Sequence, residues 1–241
     1  MNSLLDLPYA GADPLTPFPP AEQALETPNG LLAWGGDLQP ERLLQAYRKG
    51  IFPWYSEGQP ILWWSPAPRC VLLPSRVYAS KRTRRRYNSG IYRLSIDRAF
   101  DEVIEACAQP REYESSTWIS REMIDAYCLL HRMGHAHSLE VWRDGSLAGG
   151  IYGLHLGGVF FGESMFSRQT DASKIALIGL CRILEAYGFD LLDCQVGNPH
   201  LITMGAEDIC RPEFESTLKV SVARTDIPRT WAQTPKFESR W

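Results

Sequence analysis

Val159-Phe160-Phe161-Gly162-Glu163-Ser164-Met165-Phe166 is followed by a segment opening at Asp171 and then by Phe189-Asp190-Leu191-Leu192-Asp193-Cys194-Gln195. The two outer runs are short and largely apolar, with Glu163 in the first and Asp193 and Gln195 in the second toward their carboxyl ends, and they read as buried strands. Between them Ile175, Leu177, Ile178, Leu180, Cys181 and Leu184 are apolar almost all round a helical period. Asp171 reads as the cap of that helix and Gly188 as its stop, so the helix is expected to be buried on most sides. Strand, helix, strand then forms one parallel crossover.

Upstream, Ser138 to Trp142 and Leu147 to Leu156 read as a hairpin around an Asp144-Gly145 turn. Earlier still, Asp97 is expected to cap a helix carrying Phe100, Val103, Ile104 and Cys107, which ends before Pro110. A second helix is expected from Ser120 to about Met133, with Met123, Tyr127 and Leu130 on one face and Gly134 as its stop. An antiparallel hairpin beside a parallel crossover makes a mixed sheet, so the fold class is α+β. The first 68 residues differ in character: they hold eleven of the 17 prolines. One helix is expected there, opening at Pro40, running through Leu43, Leu44 and Tyr47 and stopping at Gly50. Ile61-Leu62-Trp63-Trp64-Ser65-Pro66 reads as a short strand. The chain is therefore read as a small N-terminal α/β subdomain over 1–68 and a larger mixed-sheet domain over 69–241.

At 241 residues, with 44% hydrophobic and 22% charged side chains, the chain buries a sizeable core, which excludes disorder, collagen and coiled coil. No apolar run reaches the roughly 18 residues that span a bilayer, and the first residues lack the pattern of a secretion signal, so the expected address is cytoplasmic. The six cysteines are widely spaced without a C-x-x-C pair, so they are read as small apolar fillers. Net charge is −3, yet it is unevenly divided. Residues 1–68 hold three basic and seven acidic side chains, while residues 69–96 hold eight basic and none acidic.

Several constellations are missing: a G-x-x-x-x-G-K-[ST] loop, a G-x-S-x-G elbow, and a G-x-G-x-x-G turn opening a helix after a strand. His131, His135 and His137 do not share a helical face, because Gly134 interrupts them, and no metal site is expected. The strongest candidates are polar residues at the ends of the two decisive strands. By alternation Phe161, Glu163 and Met165 share one face, and Asp193 and Gln195 share another. Both strands flank the crossover helix, so these groups are expected to converge outside the strands' carboxyl ends, where ligands usually bind. The structural alternative has Glu163 paired with Arg168 and has Asp193 and Gln195 tying down loop backbone. Trp54 and Trp118 stand in loop contexts where a ring can stack on a nucleobase, or can simply be core. The run Lys81-Arg82-Thr83-Arg84-Arg85-Arg86 reads as a polyanion contact, against the alternative of a solvated face.

Ordered motifs along the chain resemble those of the bacterial leucyl/phenylalanyl-tRNA–protein transferases from about Ala24 to Phe214. They include Asn29-Gly30-Leu31-Leu32-Ala33-Trp34-Gly35-Gly36-Asp37-Leu38, Gly50-Ile51-Phe52-Pro53-Trp54 and Trp63-Trp64-Ser65-Pro66-Ala67-Pro68-Arg69. Thr117-Trp118-Ile119, His135-Ala136-His137-Ser138, Gly149-Gly150-Ile151-Tyr152-Gly153, Gly162-Glu163-Ser164-Met165-Phe166-Ser167-Arg168 and Asp193-Cys194-Gln195 follow in the same order. Ala67 stands where the family's pattern has Asp.

The resemblance implies a C-terminal domain like the GCN5-related acetyltransferase fold. It implies an aminoacyltransferase that moves Leu, Phe or Met from aminoacyl-tRNA to the N-terminal Arg or Lys of a protein, marking it for degradation, without cofactor, metal or membrane. Glu163 and Gln195 match its catalytic positions, with Asp193 in support. Trp54 and Trp118 match positions holding the terminal adenosine of the tRNA, and Ile151, Phe160, Met165 and Leu180 match the aminoacyl pocket. Lys81, Arg82, Arg84, Arg85 and Arg86 become a contact for the tRNA backbone. Two rivals stand beside this reading. An acyltransferase using acyl-coenzyme A is disfavoured because Gln169-Thr170-Asp171-Ala172-Ser173-Lys174 lacks a glycine-rich pyrophosphate loop. A non-catalytic RNA-binding module predicts binding without dependence on Glu163 or Gln195.

Overall fold

A computed structural model describes residues 7–110 and 118–231. Near the N-terminus, β1 (Leu31–Trp34), helix α1 (Pro40–Arg48), β2 (Phe52–Pro53) and β3 (Leu62–Trp64) form a three-stranded antiparallel sheet in the order β1-β3-β2, with its helix. Pro40 occupies the first turn of α1, where its missing N–H costs nothing, and Leu43, Ala46 and Tyr47 turn inward. Next come β4 (Arg69–Leu72), α2 (Lys81–Asn88), β5 (Arg93–Ile96), α3 (Phe100–Cys107), α4 (Arg121–Arg132), β6 (Ala136–Arg143), β7 (Ser146–Leu156) and β8 (Val159–Ser167). The chain continues through α5 (Ala172–Ala186), β9 (Leu191–Gln195), α6 (Pro199–Thr203), β10 (Glu207–Ile209) and α7 (Arg211–Ser221). Seven of these strands form one sheet in the order β10-β4-β9-β8-β7-β6-β5, antiparallel except for the β8/β9 pair that α5 connects. The mixed sheet, the crossover and the hairpin are as the residue pattern predicts. Among the described residues, no helix is long and apolar enough to cross a membrane.

The sheet is covered on both faces. Helices α3 and α4 pack on one side with Tyr47, Phe161 and Leu154, while α5 fills the other with Ile151, Phe160 and Leu192. The β6–β7 turn is the expected Asp144-Gly145 pair, both in the left-handed region as this hairpin turn requires. Ser120 caps α4, its hydroxyl accepting from the Met123 N–H.

Two expected caps are corrected. Asp97 does not cap α3, which starts at Phe100 behind Ala99; its carboxylate instead meets His137 Nδ1 at 2.7 Å and accepts the Ser138 N–H at 2.9 Å. Asp171 precedes α5 but makes no side-chain cap. It sits at φ 64, and its carboxylate pairs with Lys174 at 3.2 Å and Arg86 at 3.3 Å. Asp tolerates the left-handed conformation as readily as it caps, and here the ion pairs decide which is used.

Candidate active site

The site begins with a slip in strand register. Tyr152 pairs with Ser164 and Gly153 with Gly162, so Glu163 is an extra residue in β8 with no partner on β7. This bulge reverses alternation beyond it. Glu163 stays on the Phe161 face, toward Tyr47, but Met165 turns to the opposite face and packs against the α5 cluster. The expectation that Phe161, Glu163 and Met165 share one face is therefore corrected. Gly153 is required opposite the bulge: a Cβ there would stand 2.1 Å from the Phe161 carbonyl and 2.4 Å from the Phe160 ring.

A second cause is strand divergence. The parallel ladder of β8 and β9 ends at Phe161 and Asp193. Past that point the strands no longer pair, and a cavity of about 1020 Å³ opens between them. Trp54, Trp118, Glu163 and Gln195 line it, together with Ile151, Met165, Leu177 and Leu192. Cavities of this size and mixed lining, at strand carboxyl ends, are the usual place for a ligand.

At its polar end Glu163 is 9% exposed. Its Oε1 accepts from the Tyr47 hydroxyl at 2.7 Å and from Gln195 Nε2 at 3.0 Å, while Oε2 is hydrogen-bonded to the Tyr127 hydroxyl at 3.1 Å. The two tyrosine hydroxyls also touch each other. Burial pushes the Glu163 carboxyl up to about 7, against the pull of the tyrosine hydrogen bonds; Asp193 adds to the rise and Arg69 opposes it. Burial, with Glu163 next, holds both tyrosines well above their ordinary value, so they stay neutral donors. A carboxyl near 7 changes charge readily around neutral pH, as acid–base groups do.

Asp193 does something else. It is fully buried and meets Arg69 in a fork, Nε to Oδ1 at 2.8 Å and Nη2 to Oδ2 at 2.7 Å. Arg69 is itself sandwiched between the rings of Phe52 at 4.9 Å and Phe214 at 4.7 Å. Asp193 Oδ1 also accepts the backbone N–H of Gln195 at 2.9 Å. Gln195 stands at φ 62, a left-handed conformation rare for a side chain of its kind. Asp193 therefore reaches the cavity only through Gln195, fixing the turn that sends its carboxamide to Glu163. The structural alternative thus holds for Asp193, but not for Glu163: Arg168 lies over the Phe166 ring at 5.2 Å instead.

The remaining candidates divide. Trp54 is 43% exposed and tilted against Trp64 at 5.7 Å; Trp118 is half-buried, while its motif neighbour Thr117 lies outside the described residues. Ile151 and Met165 face the cavity. Phe160 and Leu180, each 1% exposed, do not line it and belong to the α5 core. Leu177 and Leu192 line the cavity. The basic run lies on α2, a helix that buries only Thr83 and Tyr87. Lys81, Arg82, Arg84 and Arg85 are exposed on it. Arg86 instead turns to the chain between β8 and α5, pairing with Asp171 and donating to the Thr170 carbonyl at 3.1 Å.

Sequence reasoning missed Tyr47, Tyr127 and Arg69. The two tyrosines read as apolar positions of amphipathic helices, yet a buried tyrosine hydroxyl needs a partner, and that is the signal that could have found them. Among the described residues, no group of three or more His, Cys, Asp or Glu is arranged to hold a metal ion.

The family described as leucyl/phenylalanyl-tRNA protein transferase matches residues 71–219, and its N-terminal domain matches residues 36–67. A leucyl/phenylalanyl-tRNA–protein transferase from Nitrosomonas europaea is 55% identical over 216 residues, 90% of this chain and 92% of the relative. One from Chromobacterium violaceum is 49% identical over 233 residues, covering 97% of this chain and 99% of the relative. A solved GCN5-related N-acetyltransferase from Kribbella flavida overlays with TM-score 0.38 at 9% identity, over 71% of this chain and 61% of that one, too loosely to bear on fold or function. On the family match and the identity along nearly its whole length, the chain belongs to the leucyl/phenylalanyl-tRNA–protein transferases, a family of aminoacyltransferase enzymes.

Proposed function

We propose that this chain moves a leucyl, phenylalanyl or methionyl group from the ester of its tRNA to the α-amine of a protein beginning with Arg or Lys, forming a peptide bond. In the cytoplasm the added residue would mark that protein for degradation. The observation that carries the reading is the Glu163–Gln195 pair, 3.0 Å apart in a cavity that is also lined by Trp54, Trp118, Ile151, Met165, Leu177 and Leu192 and that has Arg168, Asn198 and His200 among its polar lining. Such a cavity suits an uncharged amino-acid side chain beside a cationic one.

The chemistry requires little more. The ester is already activated, and an α-amine of reference pKa roughly 7.7–8.0 is partly neutral at cellular pH. Holding amine and ester together supplies most of the acceleration. In this reading Glu163 takes the positive charge of the acceptor's first side chain and Gln195 polarises the amine. Trp54 and Trp118 bracket the terminal adenosine, and Ile151, Met165, Leu177 and Leu192 receive the aminoacyl side chain. Lys81, Arg82, Arg84 and Arg85 on α2 contact the tRNA backbone. Residues 69–241 form the catalytic domain, while 1–68 lend it Tyr47 and Trp54.

The test is transfer of labelled leucine from Leu-tRNA to two peptides that differ only in beginning with Arg or Met, without ATP or coenzyme A. Label in the Arg peptide alone is the expected result. Binding of Leu-tRNA with label in neither peptide would favour the RNA-binding alternative.

A further inference from the structure

Three oxygen-bearing groups meet pairwise in the site: Tyr47 with Tyr127, Tyr47 with Glu163 Oε1 at 2.7 Å, and Tyr127 with Glu163 Oε2 at 3.1 Å. Each contact needs one hydrogen between its oxygens. The two hydroxyls supply two. If Glu163 is ionised, one of the three contacts holds no hydrogen, whether it is the one between the two hydroxyl oxygens or one between a hydroxyl and a carboxylate oxygen. If Glu163 is neutral, every contact is filled. Its Oε2–H donates to Tyr127, Tyr127 donates to Tyr47, and Tyr47 donates to Oε1, which also accepts from Gln195 Nε2 at 3.0 Å.

We propose that Tyr47 and Tyr127 hold Glu163 as a neutral carboxylic acid in the unliganded site, and that the cationic side chain of the acceptor's first residue expels that proton on binding. The first half stands on the contacts above; the second rests on the proposed function. The surroundings favour it. Tyr47 comes from α1, Tyr127 from α4 and the fully buried Tyr152 from β7, all uncharged. The charged groups nearby, Asp193 on β9 and Arg69 on β4, are spent on each other. Gln195 brings only a neutral carboxamide. Burial therefore governs the carboxyl, and it favours the neutral form.

When a guanidinium or ammonium enters, the O–H bond of Oε2 breaks and the proton passes to water in the cavity that Glu163 lines. The Tyr127 hydrogen then swings from Tyr47 to Oε2. Both carboxylate oxygens keep a tyrosine donor, and the new charge faces the cation. Tyr47 and Tyr127 are thus positioning residues for acceptor recognition. A carboxyl that is uncharged until the right cation arrives would discriminate Arg and Lys from neutral first residues while never burying an unpaired carboxylate.

Two measurements test this. The first is the infrared spectrum of the unliganded protein at about pH 6, one unit below the Glu163 value of about 7. Wild type minus Glu163→Gln should show the carbonyl stretch of a neutral carboxylic acid, fading as pH rises. Tyr47→Phe should move that band to higher frequency, because its carbonyl loses a donor, a change that mere loss of packing would not produce. Absence of the band overturns the ring. The second is calorimetric titration at the same pH, in buffers of different ionisation enthalpy, with a desamino-arginyl peptide, which keeps the guanidinium and lacks the titrating α-amine. Release of most of one proton per peptide is expected, because the unliganded carboxyl is held mainly neutral at this pH. Binding without release overturns the expulsion step. Failure of the peptide to bind, with the acid band present, overturns the acceptor reading and its expulsion step but leaves the neutral ring standing.

Discussion

Arg69 on β4 and Asp193 on its antiparallel neighbour β9, both fully buried, meet in a two-pronged contact at 2.7 and 2.8 Å. Neither lines the cavity, yet the Gln195 turn hangs from Asp193 by a backbone hydrogen bond of 2.9 Å. Removing one partner of a buried pair leaves an uncompensated charge, at a cost of about 3–5 kcal/mol.

Asp193→Ala should therefore lower unfolding free energy by about that much in urea, and transfer should fall with it. Replacing both partners, as Arg69→Met with Asp193→Leu, should recover most of the stability, because an apolar pair of similar volume packs as well. Transfer should stay low in the double variant, since the Gln195 N–H still lacks its acceptor. Recovery of both together would mean that Asp193 acts through stability alone.

Gln195→Gly separates strain from chemistry. A non-glycine residue at φ 62 carries roughly 1 kcal/mol of backbone strain, which glycine removes, although glycine also gains freedom in the unfolded chain. Urea unfolding should shift by no more than about 1 kcal/mol in either direction. Transfer should fall by tenfold or more, because among the described residues the only side-chain donor to Glu163 besides the tyrosines is gone. Normal transfer would remove Gln195 from the reaction.

The pocket and the core behind it should respond differently. Leu177 lines the cavity proposed to take the aminoacyl side chain, so Leu177→Ala enlarges it and should favour Phe over Leu as donor by about 1–3 kcal/mol, read as a ratio of kcat/KM values. Leu180, in the core, should instead cost about 2–5 kcal/mol of stability when changed to Ala, with the donor ratio unmoved. A shifted ratio in Leu180→Ala would return that residue to the pocket.

The contrast between Leu177 and Leu180 also shows how far the sequence is legible. Periodicity finds α5 and its apolar character, but an all-round apolar helix gives no sign of which positions face a cavity. Glu163 and Gln195 are conspicuous because polar residues end otherwise apolar strands. The bulge that aims Glu163 is silent, since it changes pairing by one residue and leaves no compositional trace. Asp97 and Asp171 mislead for a related reason: both precede helices, and only the partners brought by distant elements, His137 and Arg86, reveal that neither carboxylate caps its helix. The basic run is legible as charge but not as a helix, because α2 buries only Thr83 and Tyr87.

That helix divides into two groups with separable effects. Arg82 and Arg85 are exposed, so changing both to Ala should weaken aminoacyl-tRNA binding and flatten the plot of log affinity against log salt by up to about 2, close to one per lost phosphate contact. Arg86 is tied to Asp171 and Thr170, so Arg86→Ala should loosen the entry to α5 and lower stability while leaving the salt slope nearly unchanged. An unchanged slope in the double variant would return Arg82 and Arg85 to a merely solvated face.

Two buried groups should oppose each other in the pH dependence of stability. His155 is pushed by burial down from 6.5 to about 3, with the neighbouring His137 next in effect. Between those values the unfolded chain binds the proton and the folded one does not, so this group makes stability fall as pH drops below 6.5, by about 1.4 kcal/mol per unit. Glu163 is pushed up from 4.5 to about 7, so between those values the folded chain holds the proton and the unfolded one releases it. Its effect is the reverse: stability falls as pH rises from 4.5 toward 7. Over the shared window, 4.5 to 6.5, the two slopes largely cancel in the wild type. Glu163→Gln should unmask the histidine, giving a protein that loses stability steeply on acidification. His155→Gln should unmask the carboxyl, giving one that is more stable at pH 5 than at pH 6.5. Urea midpoints across this window read both slopes directly, and parallel profiles in the two variants would show that neither group carries the shift its burial implies.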